Sequence, residues 1–171
     1  FMDTARHPVS DWQQMELMEI LRRKDRFRPP NFKNWLTSEN DDIVLLSLRL
    51  IRTYHQINAA EPVMDHLRHT SKEIRMAALK CIRDFRYVPA RKALKKVFET
   101  ADPDCRILIL DSLQQIPDTS DIPWIETQAS ENDSFLVRGK AKSVLASLRS
   151  AETTGFTTEK SQAGPYGSGI E

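Results

Sequence analysis

The chain has 171 residues, 40% of them apolar and 29% charged, a balance that suits one soluble domain with a real core. It holds two cysteines, too few for a disulfide-built extracellular domain, and no apolar run reaches the ~20 residues that a membrane helix needs. The formal charge of +1 is unevenly shared: residues 1–100 carry 19 Lys and Arg against 13 Asp and Glu, and residues 101–171 carry 6 against 11.

Ser10 followed by Gln13 forms a capping box, which predicts a helix over 11–24 with an apolar stripe of Trp12, Met15, Leu17, Met18, Ile20 and Leu21. Pro29 and Pro30 end it, so residues 1–29 are expected to form a capping helix and linker. From there the pattern repeats every 31 residues. Phe32, Val63, Leu94 and Ile125 share one phase; Leu36, Leu67, Phe98 and Ala129 share another. Ile43, Ile74 and Cys105 continue the period and Val137 comes one residue late, which places a one-residue insertion near Asn132 to Ser134. A fixed period of this size means stacked supersecondary units, none able to bury its apolar face alone.

Each repeat is predicted to be a helical hairpin. First helices are expected near 31–37, 59–68, 89–100 and 121–130, and second helices near 41–57, 72–86, 103–116 and 134–149. Asp41, Ser71, Asp102 and Asp133 stand ahead of the second helices as candidate N-caps. The four repeats then span about 30–57, 58–87, 88–117 and 118–150. Residues 151–171, rich in Thr, Gly and Ser, are expected to be a flexible tail. Strand-like alternation is nowhere sustained, and the fold class is all-α.

The second helices share a signature of an apolar residue, Arg, two residues, a second apolar position and a third four further on. The copies are Ile74, Arg75, Ala78, Ile82; Cys105, Arg106, Ile109, Leu113; and Val137, Arg138, Ala141, Leu145, while Ile43, Val44, Ser47, Ile51 lacks the Arg. This pattern resembles the HEAT-repeat superfamily, in the short-repeat form of phycobilisome-lyase-like HEAT proteins. The resemblance covers about residues 30–149 and implies an α-solenoid, a right-handed superhelix of about four hairpins closed by the N-terminal helix. It also implies that Arg75, Arg106 and Arg138 form a structural ladder bonded to acidic or carbonyl partners. The aromatic-rich opening and the stretch from Trp35 to Ile51 are similar to bacterial HEAT proteins with an N-terminal membrane anchor. That likeness implies a cytoplasmic chain, held at the inner membrane if an anchor precedes Phe1.

Second helices line the inner wall of such solenoids, and helical geometry puts Arg49, Lys80, Asp111 and Ser143 in one row of it and Arg52, Arg83, Gln114 and Ala146 in the next. Arg49, Arg52, Lys80 and Arg83 are therefore the candidate partner-binding patch, fit for an acidic segment of another protein. The alternative occupant is nucleic acid, which the balanced charge and the scarcity of aromatic residues on that wall disfavour. Arg91, Lys92, Lys95 and Lys96 make a second basic group, expected to be an outward, solubilising face. Trp12, Trp35 and Trp124 are expected in the core; an exposed Trp12 would instead mark a docking surface. No Gly-rich phosphate loop, nucleophile elbow or paired carboxylates are present, and His7, His55, His66 and His69 have no metal-ligand spacing. The expectation is a non-catalytic scaffold or adaptor without cofactor or metal.

Overall fold

In a computed structural model, residues 10–22 and 31–160 are described. All regular structure among them is helical. Helix α1 spans Asp11–Arg22 and opens on the capping box: Gln13 N–H donates to Ser10 Oγ at 3.3 Å, and Ser10 N–H donates to Gln13 Oε1 at 3.0 Å. The 3-10 segment Phe32–Thr37 and helix α2 (Asp41–Thr53) make the first hairpin. The second joins α3 (Ala60–Asp65), extended by a 3-10 turn over His66–Arg68, to α4 (Lys72–Phe85). The third joins α5 (Arg91–Phe98) to α6 (Pro103–Gln115), and the fourth joins α7 (Ile122–Glu131) to α8 (Phe135–Lys160). Helix α8 thus runs through Lys160, into the segment expected as tail; residues 161–171, like 1–9 and 23–30, lie outside the described residues.

The 31-residue phases are the core. Phe32, Val63, Leu94 and Ile125 are each 1% exposed or less, and Leu36, Leu67, Phe98 and Ala129 are all buried. Ile43, Ile74, Cys105 and Val137 are buried residues in the first turns of the second helices, with the late arrival at Val137 absorbed in the turn before α8. At ~1.5–3 kcal/mol for each large apolar side chain removed from water, these phases supply most of the driving force for stacking. Ser47 stands where later repeats have Ala78, Ile109 and Ala141. It is buried too, and its hydroxyl donates to the Phe32 carbonyl at 2.8 Å, so no unmet polar group remains there.

Caps follow short-range chemistry, with two changes from the sequence expectation. Ser71 and Asp102 cap α4 and α6 as expected, accepting from Ile74 N–H and Cys105 N–H. Asn40, not Asp41, caps α2, because its amide oxygen reaches Asp42 N–H at 2.9 Å and leaves Asp41 in the first turn, where a carboxylate suits the helix dipole. Before α8 the one-residue insertion moves the role from Asp133 to Ser134, whose Oγ faces Val137 N–H at 3.5 Å.

The turns out of α2 and α4 are built alike. His55 (φ 49°) and Arg86 (φ 51°), 31 residues apart, adopt the left-handed conformation usual for glycine. In both, the next N–H reaches back into the helix: Gln56 to the Ile51 carbonyl at 2.9 Å and Tyr87 to the Ile82 carbonyl at 3.3 Å. The third equivalent position is Pro117, which has no N–H and a fixed negative φ, so this turn cannot be repeated after α6. The chain divides there into two compact units, Phe1–Ile116 and Pro117–Glu171. Arg86 is exposed, and its left-handed strain of ~1–2 kcal/mol exceeds the entropic cost of glycine, ~0.5–1 kcal/mol. Arg86→Gly should therefore stabilise the protein by about 0.5–1 kcal/mol, seen as a melting-temperature rise of about 1–4 °C by circular dichroism.

Within the first unit α2 packs on α4 and α4 on α6, so consecutive second helices form a continuous layer. In the second unit α7 packs along α8.

Candidate functional site

The pairing of α2 with α4 brings three of the four candidate residues together. Arg49 and Arg52 stand three apart on α2, and Lys80 faces them from α4 across a groove of about 210 Å³. Half-buried Leu45, Met76 and Ala77 line its apolar part, and Glu73 closes one end. The groove therefore combines an apolar strip with charged side chains at its edges.

The cations differ in how they are held. Arg49 Nη1 donates to Gln14 Oε1 at 2.8 Å, which ties α2 to α1. Arg52 Nε lies 3.2 Å from Asp84 Oδ2. Arg83 turns away from the groove: its guanidinium holds Asp84 Oδ1 at 2.8 Å and reaches Asp111 Oδ2 at 3.7 Å. Lys80 makes no polar contact among the described residues and is the most available charge of the four. The ion pairs to Asp84 and Asp111 are partly exposed, where such a pair is worth ~0–1 kcal/mol, so a competing carboxylate displaces them cheaply.

Gln14 and Asp84 were not legible as parts of this region. Gln14 is 1% exposed although it is polar and lies on a helix whose stripe was expected to be apolar. Trp12 corrects the expectation of a core tryptophan: it is 66% exposed, because the side of α1 that meets α2 is the side of Gln14, about 200° around the helix from Trp12. Trp35 and Trp124 are partly buried. Asp84 had a signal, a spacing of 32 from Arg52; Lys72 to Asp104 shows the same step, and Arg75 to Asp102 and Arg83 to Asp111 use steps of 27 and 28. On helices stacked with a 31-residue period, those offsets are the neighbours across the interface.

The recurrent arginines bond inward. Arg75 donates to the His69 and Thr70 carbonyls, both at 2.8 Å, and to Asp102 Oδ2 at 3.1 Å. Arg106 donates to the carbonyls of Phe98 and Glu99 at 3.1 and 3.2 Å and lies over the Phe98 ring. Arg138 donates to the Asn132 and Asp133 carbonyls and lies over Phe135. Each fork thus ties the end of a first helix to the start of its second, meeting carbonyls left open by helix termination. Burial pushes the Asp102 carboxyl upward, but the Cys105 N–H and the Arg75 guanidinium outweigh it and hold the group down at about 2.

Burial pushes the Cys81 thiol up to about 12 and the Cys105 thiol up to about 11, away from the reactive thiolate. His66, lowered by burial and by His69, has its ring centroid 5.9 Å from that of His69. Among the described residues no three His, Cys, Asp or Glu side chains are placed to hold a metal ion. In the second basic group Arg91 donates to the Ile116 carbonyl, while Lys92 and Lys96 are exposed. No helix among the described residues is long and apolar enough to cross a membrane.

No curated protein and no solved structure matches the chain. The family model for HEAT repeats matches residues 60–146, which is 87 of 171 residues and takes in the second and third hairpins and most of the fourth. With half of the sequence matched and every repeat phase buried under paired helices, the chain belongs to the HEAT-repeat family and its fold is an all-α solenoid of helical hairpins.

Proposed function

We propose that the protein is a non-catalytic scaffold whose α2–α4 groove holds an acidic amphipathic segment of a partner protein. HEAT repeats commonly mediate protein–protein interaction, and the groove supplies this chain with a site for it. The observation that carries the reading is the juxtaposition of Arg49, Arg52 and Lys80 with the apolar strip of Leu45, Met76 and Ala77. Apolar contacts supply area and the three cations supply orientation, the division of labour found in helix-in-groove recognition. Arg83 supports the site from behind by sharing Asp84 with Arg52. The ladder of Arg75, Arg106 and Arg138 keeps the hairpins rigid, so the groove is formed before the partner arrives. A cytoplasmic setting accords with Cys81 and Cys105, which pack as buried thiols.

Nucleic acid is the weaker occupant, because the apolar strip of Leu45, Met76 and Ala77 offers nothing to a phosphate backbone and the chain's formal charge is only +1. Fluorescence anisotropy with a labelled acidic amphipathic peptide and with a labelled DNA duplex separates the two. Peptide binding should weaken at least about tenfold in the Arg52→Glu, Lys80→Glu double variant, with the far-UV circular dichroism unchanged. Duplex binding with a steep salt dependence, or peptide binding indifferent to the substitutions, overturns the proposal.

A further inference from the structure

Helix α1 presents an exposed face that is both apolar and acidic. Trp12, Met15 and Ile20 are 66%, 61% and 49% exposed, and Glu16 and Glu19 are exposed beside them. At 100° per residue these five fall within one arc of about 140°, on the side opposite buried Gln14. The result is an acidic, aromatic helix face, the chemistry argued above for the occupant of the α2–α4 groove. Charge decides between this and the other exposed apolar pair on a helix, Phe135 and Leu136 of α8. Those stand beside Arg138 and Lys140, and a basic rim repels them.

We infer that the groove's partner is a second copy of this chain, which lays the Trp12, Met15, Glu16 and Glu19 face of its α1 over Arg49, Arg52 and Lys80. The inference rests on the groove being a binding site for acidic amphipathic helices. Docking must occur in trans, because the Gln14–Arg49 hydrogen bond fixes α1 with its opposite side toward α2 of the same chain. Donor helix and acceptor groove lie in one compact unit, so each copy offers both halves of the contact. A two-fold arrangement then satisfies both at once and closes the assembly at a dimer. Trp12 is the anchor, as a large rigid side chain entering an apolar strip, and the carboxylates of Glu16 and Glu19 meet Arg52 and Lys80.

The full chain should sediment as a concentration-dependent dimer over loading concentrations of about 1–100 µM, and Trp12→Ala should raise the dissociation constant at least about tenfold. A charge swap gives the sharper reading. The Glu16→Lys, Glu19→Lys variant and the Arg52→Glu, Lys80→Glu variant should each be monomeric, because like charges then face each other. Mixed together they should form a heterodimer, because both halves of the contact regain opposite charge. A monomer throughout, or swap variants that dimerise alone or fail to pair when mixed, overturns the inference. The labelled acidic peptide is titrated into Trp12→Ala in parallel. Peptide binding by a chain that never dimerises removes the second copy as partner and leaves the groove standing, whereas absence of both removes the groove as well.

Discussion

Replacing Ile82 by alanine should cost about 3 kcal/mol, the largest effect of any single substitution considered. Ile82 is 1% exposed, lies in the third apolar position of the repeat signature with Ile51, Leu113 and Leu145, and sits on α4, which packs against both α2 and α6. Truncation there removes transfer energy and leaves a cavity that neither neighbour can fill without moving off the other. Urea unfolding by circular dichroism should show a lower midpoint with the slope kept. Ile57→Ala is the control, since Ile57 is 51% exposed and its loss should change stability by under about 0.5 kcal/mol. A cost below about 1 kcal/mol for Ile82→Ala would mean that α4 is not the keystone of its unit.

The second large effect falls on Asp102, whose carboxylate does three jobs. It caps α6 through Cys105 N–H at 3.2 Å, pairs with Arg75 at 3.1 Å, and lies 3.6 Å from Lys72 Nζ. Asp102→Ala should lose about 2 kcal/mol at pH 7, roughly half from the cap and half from the charge. The loss carries a pH signature. The folded group titrates at about 2 and its ordinary value is 3.8, so its stabilisation is present above pH 4 and disappears as the pH falls from there toward 2. Urea midpoints of the parent and variant should therefore differ at pH 7, and the gap should narrow steadily below pH 4. A gap that stays constant with pH would assign the effect to packing rather than to charge.

The fold was legible because burial repeats. Four copies of each apolar phase gave the hairpins, their order and the insertion before Val137, which no single helix prediction would have given. The caps were partly legible: Asn40 and Asp41 are equally good letters, and one residue of register in the turn decided between them. The candidate site was half legible. Helical spacing put Arg49, Arg52 and Lys80 on a common face, but the partition of charge within it depended on contacts between stacked helices. Asp84 drawing Arg52 and Arg83 together is such a contact. Gln14 was invisible for a further reason. A lone polar residue in an apolar stripe reads as surface until the arginine that meets it is known.

Cys81 turns the α2–α4 contact into its own clock. Its side chain is fully buried on the inner side of that contact, and its Sγ is 3.3 Å from the Leu48 carbonyl. A thiol in that position reacts with an alkylating reagent only after the two helices part, so the labelling rate counts opening events. Cys105, 1% exposed at the start of α6, keeps time for the next layer in the same way. The protein therefore carries two native stopwatches, one beneath the groove and one a repeat away. Whatever occupies the groove would be timed by the first, with the second as its reference.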